Sequence, residues 1–337
     1  MLSYTTLNEK NKNFLNQPDT EYQCQNKIET IEDLNRVINF YKGKTNFIFR
    51  GSKEAKYMVL SQLQLQWLNK GCSKDIRLFN SYIKDCISKL KNTNRFNKLI
   101  QSNGLKMEHS DFFALAILQH YGIPTPLIDL TEDINVGLFF MTDNLVITNC
   151  QQSEIDNYSS LYVINKKHPY IVSYQNLMEE GNYNADKMLD EHFINNPKDK
   201  KLILERENPY TYDKVCENGT GLILERGFFK TNSSYFGETT FVINSKRQEQ
   251  QKGLFALNSQ LEKSLEKFYC DWYKSPIMIC YNINKKLTGE IKKYLESIKI
   301  DKDIIYQREV IGSEMNTKMV EESAVLTLEQ YCSSCEI

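Results

Sequence analysis

The sequence lacks the short motifs that mark several large classes of enzyme. It contains no GxGxxG, no GxxxxGKS or GxxxxGKT, no HExxH and no GxSxG segment. Such segments bind dinucleotides or nucleotide phosphates, hold a catalytic zinc ion, or present an activated serine. Their absence argues against Rossmann dehydrogenases, P-loop hydrolases, zincins and α/β-hydrolases.

Long apolar runs and chain breakers are also scarce. No stretch approaches the roughly 20 consecutive apolar residues that a membrane-spanning helix requires, so we expect no membrane partner. Only 14 glycines and 7 prolines occur in 337 residues, whereas 41% of the residues are hydrophobic. This composition is ordinary for globular proteins, and the length allows one large domain or two smaller ones.

The chain has no excess of charge of either sign, because its formal net charge is −1. A nearly neutral chain has no overall attraction to nucleic acid, so we do not expect a nucleic-acid partner. The one locally basic stretch runs from Lys70 to Lys106 and carries apolar residues at helical spacing. We interpret it as a helix with a solvated basic face; a contact with a polyanion is the alternative.

Cysteine occurs nine times, but without the spacing of a disulfide framework or a zinc site. No apolar leader precedes these cysteines, so we expect reduced thiols and a cytoplasmic location. Cys332 and Cys335 form a lone CxxC without a second pair, and the four histidines lie at no metal-ligand spacing. The sequence therefore predicts no metal site.

Helical periodicity dominates the first half of the chain. A short aromatic run at residues 46–51 is the best candidate for a strand there. Thr30 and Asp33 predict the start of a helix, and Pro124 and Pro126 predict a rigid extended link between two helices. The predicted helices lie at residues 31–42, 58–69, 75–101, 110–122 and 134–141, the last of them capped by Thr131.

The second half of the chain contains short runs of β-type residues instead. We therefore predict an α+β fold with a mixed or antiparallel sheet, in which helices come first and strands later. The predicted strands lie at residues 161–164, 202–204, 222–224, 240–243 and 276–281, and a late helix lies at residues 289–298.

Three segments in order carry a resemblance to one family. They are FIFRG at residues 47–51, LQHYGIPTPLIDLTEDINVGLFF at 118–140 and RQEQQKGLF at 247–255. Together they resemble the FRG domain, which is named for an aromatic-Arg-Gly motif. That family also has a downstream block beginning Gln-His-Tyr-Gly and a late Arg … Gln-x-Gly-x-Phe element.

The resemblance spans most of the chain and divides it into three parts. It implies a single FRG domain at residues 30–306, between a loose polar arm at 1–29 and an acidic appendage at 307–337. Two positions depart from the family pattern, because Pro126 stands where an Arg is usual and Leu130 where a Trp is usual. If that Arg binds a ligand in the family, this chain has altered or lost the activity. The positions that the resemblance assigns to ligand binding are Arg50, Gly51, Gln119, His120, Tyr121, Thr125, Arg247, Gln251 and Phe255.

FIFRG also resembles the start of the ADP-ribosyltransferase fold, where an Arg or His followed by Gly helps to hold NAD. This resemblance implies a nucleotide ligand such as NAD as substrate, transfer or hydrolysis of ADP-ribose, and no required cofactor. An arginine at a strand end suits a phosphate group, and the reaction needs a carboxylate near the ribose. The candidates for this carboxylate are Asp129, Glu225 and Glu238; the protein acceptor is not identified.

Structural alternatives stand beside each of these roles. Arg50 and Asp129 are also the residue types of a buried ion pair that fixes packing. A histidine such as His120, at the end of an apolar helix, is most often a core residue that donates to a carbonyl group; a proton donor or ligand contact is the less common case. The alternative function is a non-catalytic module that binds a nucleotide or another acidic ligand, as a sensor in a bacterial stress or anti-phage system.

Overall fold

The computed structural model describes residues 3–14, 27–102, 110–145, 153–168, 171, 212, 223–224, 227–233, 237–243, 250–273 and 277–306. Side chains of the segments between 227 and 243 are not part of this description. Several predictions therefore lie outside the described residues. They concern the strand at 202–204, Glu225, Arg247, the CxxC and the appendage at 307–337.

A mixed sheet of seven strands forms the centre of the fold. Its order is β1-β9-β4-β2-β3-β8-β5, where β1 and β9 are parallel and the other neighbours are antiparallel. Two further strands, β6 and β7, pair only with each other. The predicted α+β class with a mixed sheet is confirmed. The strands are β1 Lys27–Ile28, β2 Phe47–Ser52, β3 Leu127–Thr131, β4 Tyr158–Asn165, β5 Ile223–Leu224, β6 Gly227–Ser233, β7 Gly237–Ile243, β8 Gly253–Leu257 and β9 Met278–Asn284.

Ten α-helices lie within the described part of the chain. As predicted, Thr30 caps α2 by accepting a hydrogen bond from the backbone N–H of Asp33. Most boundaries fall near the predicted ones, because apolar residues at helical spacing pack against the sheet. The helices are α1 Leu7–Asn11, α2 Ile31–Tyr41, α3 Gln62–Asn69, α4 Ile76–Lys91, α5 Asn94–Ser102, α6 Asp111–His120, α7 Ile134–Thr142, α8 Leu265–Tyr273, α9 Thr288–Ser297 and α10 Lys302–Ile305.

Two local predictions about helices are wrong. The single helix predicted at 75–101 is divided, because α4 ends at Lys91 and the hydroxyl of Thr93 accepts a hydrogen bond from the N–H of Phe96. Short polar side chains of this kind compete with helical backbone hydrogen bonds. Thr131 is not the cap of α7; the side chain of Asp133 has that role and accepts from the N–H of Asn135.

Helices cover both faces of the sheet. On one face α2, α7 and α9 pack on Phe49, while α3 to α6 build a second apolar cluster that includes Leu127 and Phe255. The register pairs Phe49 with Thr131 and Phe255 with Asp129, so these four residues share that face. The other face, with Ile48, is covered mainly by α8. Helices α6 and α7 therefore lie over the same face of the sheet.

The N-terminal segment is not a loose arm where the structure describes it. Tyr4, Leu7 and Lys10 are buried, and the short strand β1 extends the sheet beside β9. The prediction of a loose arm failed because it was made from polarity and missing periodicity. Neither property shows that a polar residue such as Lys10 will be buried. Among the helices described, none combines the length and apolarity needed to cross a bilayer.

The described cysteines follow the predicted reduced state only in part. Cys86, Cys270 and Cys280 are free thiols, whereas Cys72 is disulfide-bonded. Within the described ranges, no group of three or more His, Cys, Asp or Glu residues is arranged to hold a metal ion.

Candidate functional site

The sheet opens at its centre, between β2 and β3. Strand β2 pairs with β4 along its whole length, and β3 pairs with β8 in the same way. The two central strands pair with each other only at Phe49 and Thr131. Beyond this contact their facing backbone groups need other partners, because unpaired buried backbone groups are costly.

Arg50 supplies one of these partners. Its Nη1 donates a hydrogen bond of 2.7 Å to the backbone carbonyl oxygen of Asp129, across the gap between the strands. Arg50 is half-buried and Asp129 is exposed. The two residues therefore do not form the buried side-chain ion pair that was the structural alternative. No other hydrogen bond joins the Arg50 guanidinium to a described residue, so most of its five N–H donors remain available.

A cavity of about 330 Å³, here called the cleft, lies over this opening. Residues of α6 and Phe140 of α7 form its sides, and residues of β2, β3 and β8 form its floor. Arg50 is paired with Tyr162 in the sheet register and so starts from the face opposite Phe49 and Gly51. The gap between β2 and β3 allows residues from both faces to line one cavity.

The walls of the cleft are largely apolar and aromatic. Four phenylalanines line it, at positions 49, 113, 140 and 255. They come from β2, α6, α7 and β8. Of the four, only Phe255 was predicted from the sequence to be a site residue. The other three were not predicted, because the sequence does not distinguish an aromatic residue that lines a cavity from one that is packed in the core.

A short chain of hydrogen bonds orients the carboxylate of Asp129. The Thr125 hydroxyl donates to Gln119 Oε1 at 2.5 Å, and Gln119 Nε2 donates to Asp129 Oδ2 at 3.1 Å. Thr125 is itself buried and accepts from the N–H of Leu127. Thr125 thus positions Gln119 and does not line the cleft, whereas Gln119 and Asp129 do.

His120 and Tyr121 have different surroundings although they are adjacent. His120 lines the cleft at the end of α6, as predicted. Tyr121 is absent from the cleft lining and packs against the apolar cluster of α3 to α6. The two rings meet edge to face at 5.0 Å. Tyr121 is therefore outside the cleft lining, and its ligand contact stays a prediction.

Gly51 lines the cleft, but the helix above it explains why it is a glycine. A Cβ atom at this position would lie 2.0 Å from the Gly137 carbonyl oxygen and 2.7 Å from the Met141 backbone nitrogen. Both atoms belong to α7. The missing side chain allows close packing of α7 on β2, and the predicted part of Gly51 in ligand binding stays a prediction.

Gln251 holds neighbouring elements together. Its carbonyl oxygen accepts from the Thr131 hydroxyl at 2.7 Å, and its Nε2 donates to the Ile305 carbonyl oxygen at 3.0 Å. Although Gln251 lines the cleft, this amide N–H is engaged with α10. One N–H of the amide group is thus used within the protein, and the binding role of Gln251 stays a prediction.

Asp129 is the only predicted catalytic residue whose side chain is described; it lies in the cleft and is the only carboxylate among the described lining residues. Glu238 lies in β7, which packs beside α6, but only its backbone position is described. Pro126, the position that departs from the family pattern, is buried outside the cleft lining. Its carbonyl oxygen accepts from the N–H of Asn258 at 3.0 Å.

The fold and the site define an α+β protein with a cleft over a divided sheet. Residues 45–148 match the family model described as FRG domain. This part of the chain is therefore an FRG domain, as FIFRG and the Gln-His-Tyr-Gly block predicted. The match does not extend to residues 247–255, so the limits 30–306 stay a prediction. Comparisons with curated proteins and with solved structures returned no match.

Proposed function

We propose that the cleft binds a nucleotide such as NAD and that the protein transfers or hydrolyses its ADP-ribose unit. One observation carries the proposal: an arginine with available donors and an oriented carboxylate share a single cavity with aromatic walls. A nucleotide needs a cation for phosphate, an acceptor for ribose hydroxyls and an apolar surface for its ring.

Arg50 is the phosphate-binding residue in this proposal. Its hydrogen bond to the Asp129 carbonyl oxygen fixes one edge of the guanidinium, so less side-chain freedom is lost when a ligand binds. The remaining N–H groups are then arranged for bidentate contact with phosphate oxygens. Such charge-assisted hydrogen bonds contribute about 1.5–3 kcal/mol each.

Asp129 binds the ribose and stabilises the reaction. Gln119 occupies Oδ2, and Oδ1 has no hydrogen-bond partner among the described residues, so it is available to a ribose hydroxyl. When the C1′–N bond of NAD breaks, nicotinamide leaves with the bonding electron pair and positive charge develops on the ribose. A fixed carboxylate beside this charge lowers the barrier, and water or an acceptor nucleophile then bonds to C1′ and releases a proton.

The test is nicotinamide release from NAD, measured by mass spectrometry. We expect release by the wild type, and a loss of at least about 100-fold in Asp129→Asn, which removes the charge but retains an acceptor for Gln119. Arg50→Ala should weaken binding about 10- to 100-fold. Arg36→Ala is the matched control, because Arg36 is exposed on α2 and pairs with Asp33. Equal traces for the wild type and for buffer would exclude the enzymatic part of the proposal.

A non-catalytic nucleotide sensor is the second candidate. It is favoured by the presence of only one carboxylate among the described residues of the cleft. Calorimetry with NAD, ADP-ribose and ATP separates the two candidates. Binding that weakens in Arg50→Ala, without nicotinamide release, supports the sensor; a flat titration with all three ligands excludes both.

A further inference from the structure

A second cavity of about 440 Å³ opens between the end of α2 and the start of α7. We call it the lysine cavity, because Lys42, Lys44 and Lys252 line it together with Thr45 and Tyr294. The first two lysines belong to the exposed turn between α2 and β2. Nothing in the proposed chemistry of the cleft uses this cavity.

The lysine cavity adjoins the cleft. Phe49 lines both cavities. At the end of β3, Thr131 lines the cleft and Glu132 lines the lysine cavity. At the start of β8, Gly253 lines the cleft and Lys252 the lysine cavity. A ligand that fills the cleft therefore has a continuation over the ends of these strands.

The backbone at Lys252 is strained at the point where adjacent residues of the chain line different cavities. Its φ is +44°, a left-handed conformation that costs roughly 1–2 kcal/mol for a residue other than glycine. The carbonyl oxygen of Lys252 accepts from the N–H of Glu132 at 3.0 Å. This turn directs Lys252 to one cavity while its neighbours Gln251 and Gly253 line the other.

The charges of the lysine cavity leave a net positive potential. Its two carboxylates are paired: Glu132 with Lys166 at 2.6 Å and Asp133 with Lys252 at 2.7 Å. Lys42 and Lys44 have no ion pair with a described residue, and the Lys44 ammonium lies 3.3 Å from the ring centroid of Phe40. Two exposed ammonium groups beside neutralised acids attract an anion with more than one negative charge.

We propose that the lysine cavity is an anion subsite that takes a phosphate group, and that it binds one phosphate of a ligand whose other phosphate is bound by Arg50 in the cleft. The substrate class is then a dinucleotide or another nucleotide with an extended phosphate chain. Phosphate binding by the lysine cavity is independent of the cleft, whereas a ligand shared with the cleft rests on the proposed function.

Inorganic diphosphate is the direct probe of the subsite, titrated by calorimetry into the full chain at low salt. We expect the double variant Lys42→Ala/Lys44→Ala to bind diphosphate at least about 10-fold more weakly than the wild type. Lys12→Ala/Lys53→Ala changes the net charge equally at exposed positions elsewhere and should bind as the wild type does. Arg50→Ala should also retain binding.

Three results would overturn the subsite. They are no binding of diphosphate to the wild type, equal binding by the Lys42/Lys44 variant and the control, or loss in Arg50→Ala alone. Circular dichroism of each variant shows whether it is folded, so a loss of binding is not confused with unfolding.

A ligand shared by the two cavities is tested by comparing NAD with nicotinamide riboside, which has no phosphate. The Lys42/Lys44 variant should bind NAD about 10-fold more weakly and the riboside unchanged. Equal NAD affinity in variant and wild type would refute a shared ligand while leaving the nucleotide proposal intact. If NAD does not bind at all, the proposed function fails, and the diphosphate titration still decides the subsite.

Discussion

Two groups of polar residues lie near the centre of the sheet, and they differ in how completely they are bonded. In the cleft, Arg50 is half-buried, Asp129 is exposed, and both retain hydrogen-bonding capacity. A second group, here called the buried network, joins Lys10, Ser160, Asn282, Tyr4 and Glu266, all of which are buried. Lys10 donates to Asn282 Oδ1 at 2.8 Å and to the Ser160 hydroxyl, and Tyr4 donates to Glu266 at 2.8 Å.

The buried network is fully bonded within the protein and has a structural role, whereas the cleft residues keep groups that can bind a ligand. Burial lowers the pKa of Lys10 and raises the pKa of Glu266, because each charged form loses hydration. Such groups are tolerated where partners of the same chain satisfy them. They hold the N-terminal segment to the sheet and have nothing left for a ligand. The cleft residues, in contrast, keep donors and acceptors that only a ligand or water would use.

The largest expected effect concerns the frame of the cleft. Gly51→Ala should lower the free energy of unfolding by at least about 3 kcal/mol, because its Cβ would overlap backbone atoms of α7 that cannot turn aside. Gly289→Ala is the matched control, since its Cβ meets nothing within 4 Å and alanine favours helix α9. Urea unfolding measures both. A stable Gly51→Ala protein that only lost its ligand would mean that the glycine serves binding instead.

The next effect tests the buried network. Glu266→Ala should cost about 3 kcal/mol of unfolding free energy, because the Tyr4 hydroxyl and the Val59 N–H lose their buried acceptor. Glu262→Ala should change it by less than about 1 kcal/mol, since Glu262 forms an exposed ion pair with Lys74. Similar values for the two variants would remove the distinction between the network and the surface.

Measuring stability against pH extends the comparison to Cys86, which is buried in the apolar cluster of α3 to α6. Burial raises the pKa of the Cys86 thiol from its ordinary 9.0 to about 11. Because the folded pKa exceeds the unfolded one, this contribution to stability is present below pH 9 and is lost as pH rises toward 11. The wild type should therefore lose about 2 kcal/mol more than Cys86→Ala between these pH values. Parallel curves for the two proteins would contradict the expectation.

The smallest effect is expected at the site itself. Asp129→Asn should change the unfolding free energy by less than about 0.5 kcal/mol, because the side chain is exposed and Arg50 bonds to the backbone carbonyl. A buried ion pair would behave differently, since removing one partner costs about 3–5 kcal/mol. Thermal unfolding at neutral pH distinguishes the two. A large loss of stability in Asp129→Asn would restore the ion-pair interpretation.

Local sequence signals predicted many of the elements but not the strand at the centre of the site. Pro124 and Pro126 correctly predicted an extended path after α6, because proline cannot continue a helix. The residues that follow were interpreted as a link, yet they form β3, with β2 on one side and β8 on the other. Five residues carry too weak a β pattern to reveal their neighbours, because strand pairing depends on residues far away in the chain.

Sequence patterns were enough to predict the FRG domain segments, the α+β class and the cap at Thr30, and they named Arg50 and Asp129, which both line the cleft. These features depend on short-range rules of periodicity, capping and proline geometry. Only the assembled sheet shows that Arg50 bonds to a carbonyl oxygen, that Gly51 packs tightly against α7 and that Lys10 is buried. Each of these contacts joins residues that are distant in the chain, and their distances depend on how the whole sheet is assembled.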